Sequence, residues 1–211
     1  MSSSLSGAKA SELNSRKADP MKAFPPPRAA GVYNPTLRTL HWLMTLVIFV
    51  ALGLGVWATQ LPRGDLRSEV LFVHKSLGVA ALALVVLRIA VRLAAGAPAY
   101  AVPLGRLVHA AAGVEQLALY ALMIALPVSG YLTSSAGGHE VSFFGLFTLP
   151  NLVPSDKALD EAASQAHFVL SWAIGIMLAL HLAAVAWHAI AKRDEVLTRM
   201  WPRYRPTPAP R

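Results

Sequence analysis

Four apolar stretches, each long enough to cross a bilayer, limit what this chain can become more than any other feature. A spanning helix takes about 20 mainly apolar residues, and stretches at about residues 37–59, 69–95, 107–133 and 161–191 meet that length. In hydrocarbon every backbone N–H and C=O must find its partner within the segment, so such stretches fold as helices. Asn34-Pro35 offers a cap and first turn for the first stretch. Pro127 and Gly130 fall near the end of the third, and the connection to the fourth, with Gly137-Gly138 and Pro150, reads as a long loop. The expected fold is all-α: an integral membrane four-helix bundle, up-down-up-down, over residues 33–203. No repeat at a fixed period is present.

Residues 1–32 are polar, contain Pro25-Pro26-Pro27 and lack the apolar core of a secretory signal. They are expected to form a disordered cytoplasmic tail, with residues 204–211 as a second one. The composition agrees with lipid as the solvent: 55% of residues are hydrophobic and 14% charged, where a soluble domain carries about a quarter charged residues.

The net charge of +8 would suggest a nucleic-acid partner in a soluble protein. Here its placement gives another reason. The tail through Arg38, the second connection with Arg88, Arg92 and Arg106, and the segment from Lys192 onward hold 15 of the 19 basic residues. All three lie on one side of the expected bundle. The other side has only Arg63, Arg67, Lys75 and Lys157, with Asp65, Glu69, Glu140, Asp156, Asp160 and Glu161. The positive-inside rule puts both termini in the cytoplasm. Lipid, not nucleic acid, is the expected surrounding.

Cysteine is absent, which excludes disulfides, cysteine-ligated iron–sulfur clusters and thioether-linked haem. Histidine is present seven times. Ionisable residues inside spans are costly and mark function, and four stand out: His41 near the start of the first span, His74 near the start of the second, and His167 and His181 on the fourth. His167 and His181 are 14 residues apart, about 21 Å of rise and nearly four whole turns, so both imidazoles share a face at two depths. His188, seven residues on, shares that face. Heptad-related positions point into a bundle core. One helix thus offers ligands to two stacked sites, with His74 as partner at the depth of His167. His41 is the partner at the other depth, facing His181 or His188; spacing leaves both open.

A structural zinc site wants four ligands close together. Two imidazoles from two helices, at each of two depths, instead suit bis-histidine haem, a six-coordinate iron fitted to electron transfer. The competing expectation is a haem-free membrane protein whose histidines bind a metal ion or line a proton path.

The segments around these histidines resemble the bacterial cytochrome b561 family, related to the cytochrome b subunits of nickel–iron hydrogenases and formate dehydrogenases. The matching pieces are RTLHWLM around His41, VHKSLGV around His74, VVLRIAVRL, LYALMIALPVSG, and the run from SQAHFVLSW through LALHLAAVAWH to LTRMWP. The resemblance implies two b haems: one ligated by His41 and His181 on the cytoplasmic side, the other by His74 and His167 on the periplasmic side. It implies an inner-membrane cytochrome that exchanges electrons with quinone, either standing alone as a superoxide:ubiquinone oxidoreductase or anchoring a periplasmic dehydrogenase or haem protein. It departs where relatives carry a histidine near Gln116; this chain has His109.

Several further residues are candidates around that centre. Arg88, 14 residues after His74, and Arg38, one turn before His41, are placed to pair with a haem propionate, with Arg88 also a quinone contact; the plainer role for Arg88 is snorkelling to lipid headgroups. His188 is a quinone contact or an interfacial histidine. Glu115, a carboxylate inside the third span, is a proton carrier or an ion-pair partner of His109 or Arg106. Gly53, Gly55 and Gly78 allow close approach of a helix or a macrocycle edge.

Overall fold

The computed structural model describes residues 31–96, 98, 105–194 and 196–201; the tails expected at 1–32 and 204–211 fall almost wholly outside the described residues. Four long helices make up the molecule: α1 Pro35–Gln60, α2 Asp65–Ala95, α3 Arg106–Ala136 and α4 Lys157–Trp187. All four are long and apolar enough to cross a membrane. They are apolar around most of their circumference, with Leu46, Val56, Leu117 and Trp172 facing outward, as helices solvated by lipid are.

Helix ends are decided by capping, which hydropathy does not see. Asn34 Oδ1 accepts from Thr36 N–H at 2.8 Å, and Pro35 takes the first turn. Asp156 Oδ1 accepts from Leu159 N–H at 2.9 Å, which starts α4 at Lys157, one turn ahead of the apolar stretch. Asp65 opens α2 just after Gly64, again a turn earlier than the apolar run. Gly96, at φ +69°, ends that helix in a conformation that disfavours a side chain. Pro127 sits inside α3 without ending it. After Trp187 the last turn widens into a π-helical turn, His188–Lys192, and Arg193 at φ +52° closes it.

The third connection is more ordered than the expected loop. Val141–Phe143 (β1) pairs antiparallel with Phe147–Leu149 (β2), Val141 opposite Leu149. Phe144 and Gly145, both at positive φ, make the turn. The hairpin is fastened to α2 through Ser76, which is fully buried. Its hydroxyl lies 3.0 Å from the carbonyls of Phe72 and Ser142 and accepts from Phe144 N–H at 3.0 Å.

At the opposite end of the bundle the two described chain ends meet. Trp42 Nε1 donates to Met200 O at 2.9 Å, and Arg38 Nη1 to Trp201 O at 2.9 Å. Arg199 reaches Gly31 O at 3.1 Å and Pro98 O at 2.6 Å. The guanidinium groups of Arg92 and Arg199 each lie 5.5 Å from the Tyr33 ring centre, within cation–π reach. Residues 197–201 therefore form a clasp across this end, termed here the basic end.

Helices α1 and α2 pack closely together, as do α3 and α4, and α2 also packs on α3. The backbone of α4 stands off from α1 and α2. Fully buried residues are sparse along the second pair: Ser134, Ser135 and Ala136 in the last turn of α3, Ala163 and Ile174 in α4. The interior between α4 and the α1–α2 pair is spanned by imidazoles more than by close-packed aliphatic side chains.

Candidate functional site

Two histidine pairs face each other across that interior. Toward the hairpin end, the rings of His74 on α2 and His167 on α4 have centroids 6.2 Å apart at an interplanar angle of 89°. Toward the basic end, His41 on α1 and His181 on α4 stand 6.4 Å apart at 69°. The 14 residues between His167 and His181 separate the two pairs along α4 by about 21 Å. Among the described residues, no group of three or more histidine, cysteine, aspartate or glutamate side chains is gathered as a metal site would gather them.

Both pairs meet edge to face at centroid separations ordinary for two aromatic rings, and each brings two imidazoles from two different helices to one depth, a donor set that fits a bis-histidine haem.

The other ring nitrogen is committed elsewhere in three of the four. His74 Nδ1 lies 2.8 Å from Ala51 O on α1. His167 Nδ1 lies 3.0 Å from Leu126 O and 3.1 Å from Ser129 Oγ on α3. A carbonyl only accepts, so Nδ1 carries the proton in both rings and Nε2 keeps its lone pair. Metal-ligating histidines are oriented this way, by a carbonyl or carboxylate on the remaining N–H. His181 Nδ1 donates to a carboxylate instead, Glu115 Oε1 at 2.9 Å. Glu115, expected to pair with His109 or Arg106 from proximity in sequence, bonds a histidine on another helix.

A common device exposes the two carbonyls. In a helix the side chain at i+4 leans over the carbonyl of residue i. Four residues after Ala51 comes Gly55, and four residues after Leu126 comes Gly130. A Cβ on Gly55 would meet His74 Cε1 at 3.0 Å, and one on Gly130 would meet His167 Cε1 at 2.9 Å. Each glycine opens its carbonyl to the imidazole and lets the ring lie against the helix. The sequence signal was present in ALGLG and LPVSG, but its meaning depends on which helix lies alongside. Gly53 and Gly78 have open space where a Cβ would be, so no neighbouring helix presses against them.

The remaining candidates separate clearly. Arg38 and Arg88 are each 8% exposed, and Arg88 Nη1 donates to Leu37 O at 2.8 Å. Neither snorkels to a headgroup; both lie buried near the His41–His181 pair. His188 is not brought to His41: its Nδ1 bonds the Asp194 carboxylate, capping the π-helical turn. Trp42 stacks edge-on against His41 at 5.6 Å while its indole holds the clasp.

Comparison with known proteins gives one consistent result. Residues 32–203 match the family model described as "Prokaryotic cytochrome b561". The chain is 29% identical to "Cytochrome b561 homolog 2" of Escherichia coli (strain K12), over 80% of this chain and 90% of that protein. It is 26% identical to "Probable superoxide oxidase CybB" of Yersinia pestis, over 79% of this chain and 93% of the relative. "Cytochrome b561 homolog 1" of Escherichia coli (strain K12) is 27% identical, over 81% and 97%.

Proposed function

The chain belongs to the prokaryotic cytochrome b561 family, and from that premise we propose that it is a di-haem b-type cytochrome carrying electrons across the bacterial inner membrane. His74 and His167 hold the haem toward the hairpin end, and His41 and His181 hold the haem toward the basic end. The observation that carries this reading is the two facing imidazole pairs, His74 with His167 and His41 with His181, each drawn from two helices and set at two depths along α4. The charge distribution supports a cytoplasmic basic end and a periplasmic hairpin end.

Haem held by these four histidines would supply a one-electron carrier at each depth. The chain's residues do the rest. Carbonyls of Ala51 and Leu126 fix the outer imidazoles with Nε2 inward. Glu115 fixes His181. Arg38 and Arg88, buried beside the inner pair, offer guanidinium groups to the propionates at that depth. The apolar helices exclude water between the two sites.

For the partners at either end, we read superoxide as the periplasmic donor and membrane ubiquinone as the acceptor. One relative is named a probable superoxide oxidase. That end carries six acids against four basic residues, so attraction of an anion there is local, through Lys75 beside His74 in sequence. Among the described residues outside the helices at that end, the ordered structure is one small hairpin, which favours a protein acting alone over an anchor for a periplasmic dehydrogenase. In the reaction two superoxide ions each lose one electron to become dioxygen, and ubiquinone takes two electrons and two protons to become ubiquinol.

The test is a reduced-minus-oxidised absorption spectrum of the detergent-purified protein with haem counted as pyridine haemochrome. About two haems per chain with b-type bands are expected. A flat spectrum from haem-replete cells would leave the histidines to a metal ion or a proton path.

A further inference from the structure

The two pairs differ in what holds the ligand's second nitrogen. In the outer pair Nδ1 meets neutral partners: Ala51 O, Leu126 O and Ser129 Oγ. In the inner pair His181 Nδ1 meets the carboxylate of Glu115 at 2.9 Å. Glu115 lies nine residues into α3, about 14 Å along its axis, well inside the apolar span. Carboxylates at such depth are expensive and mark function. The pair is half-buried, 33% exposed on the histidine and 26% on the glutamate.

We propose that Glu115 is a positioning residue that lowers the reduction potential of the inner haem, through its carboxylate on His181. The proposal rests on the di-haem reading above. An anionic acceptor draws the Nδ1 proton toward itself and leaves more electron density on Nε2. A more basic imidazole favours the more positive ferric iron over the ferrous form. Neutral carbonyls do this less, because a charge-assisted hydrogen bond is about twice as strong as a neutral one. A purely structural role, hiding a carboxylate in lipid by pairing it, would affect stability and leave the potential unchanged.

The experiment is a redox titration of the purified holoprotein and of Glu115→Gln, with haem per chain measured on the same samples. Glutamine keeps an acceptor for Nδ1–H and removes the charge. Both proteins are expected to hold two haems, with one midpoint raised in the variant and the other unmoved. The expected rise corresponds to about a tenfold change in the oxidised-to-reduced ratio, about 59 mV for a one-electron couple. Two haems with both midpoints unchanged would overturn the proposal and leave the di-haem reading intact; fewer than two haems in the unaltered protein would break that reading instead. If Glu115→Gln loses the inner haem, Glu115→Asp decides: its shorter side chain weakens the carboxylate's hold on Nδ1, so the same midpoint must rise by a smaller amount, and an unmoved midpoint with both haems present would overturn the proposal.

Discussion

The outer and inner histidine pairs face across nearly equal gaps, yet different chemistry holds them. The outer rings lean on backbone: a helix carbonyl uncovered by a glycine one turn later, in α1 for His74 and in α3 for His167. The inner rings lean on side chains: Glu115 on His181, Trp42 beside His41, and buried Arg38 and Arg88 nearby. Backbone carbonyls orient a ligand rigidly and without charge. A carboxylate orients it and also changes its basicity. The outer pair is built for geometry and the inner pair for electrostatics.

The comparison breaks most visibly when one ligand is removed. His167→Ala should reduce haem from about two per chain to about one, and His181→Ala should do the same with the other haem lost, as seen in the absorption bands that remain. Loss of both haems from either variant would mean that the pairs are not independent. Next in size, Gly130→Ala places a Cβ 2.9 Å from His167 Cε1, so the ring must shift off its carbonyl. Disturbing such outer contacts lowers metal affinity by about 10–100-fold, and haem retention at the outer site on dilution should weaken by at least the lower figure. Gly53→Ala, in open space, is the control and should leave retention unchanged. Smaller again, Ser129→Ala removes one neutral acceptor from His167 while Leu126 O remains, a loss of about 0.5–1.5 kcal/mol; thermal denaturation of the holoprotein should register it. Smallest, His188→Ala should keep both haems and full spectral intensity, because that imidazole caps its own helix end against Asp194.

The spans and their order could be read from the sequence because hydropathy over twenty residues reports the solvent directly. The two histidine depths could be read because 14 residues return to one helix face. What could not be read was mostly contact between helices. Glu115 illustrates this: His109 is six residues away and Arg106 nine, which a helix turns to about 240° and 180°, so neither shares its face. Helical geometry argues against both local partners, but it does not name the residue on α4 that Glu115 bonds. Likewise spacing left His181 and His188 equally able to meet His41, and the choice depended on a local event, the π-helical turn that draws His188 to Asp194. The hairpin was hidden because its strands are three residues long and its turn relies on Phe144 at φ +48°, a conformation few sequences announce.

The clasp at the basic end has a consequence for biosynthesis. Trp42, which flanks His41, is held by the carbonyl of Met200, and Arg38 by that of Trp201. These carbonyls emerge from the ribosome only after all four helices have been made. The outer pair gains its last ligand, His167, and its carbonyl supports as soon as α4 enters the membrane. The inner pair gains His181 slightly later, and the wall around it only when residues 197–201 fold back. During synthesis at about 5–20 residues per second, the pair at the hairpin end is therefore complete before the basic end, where the clasp is the last part to shut.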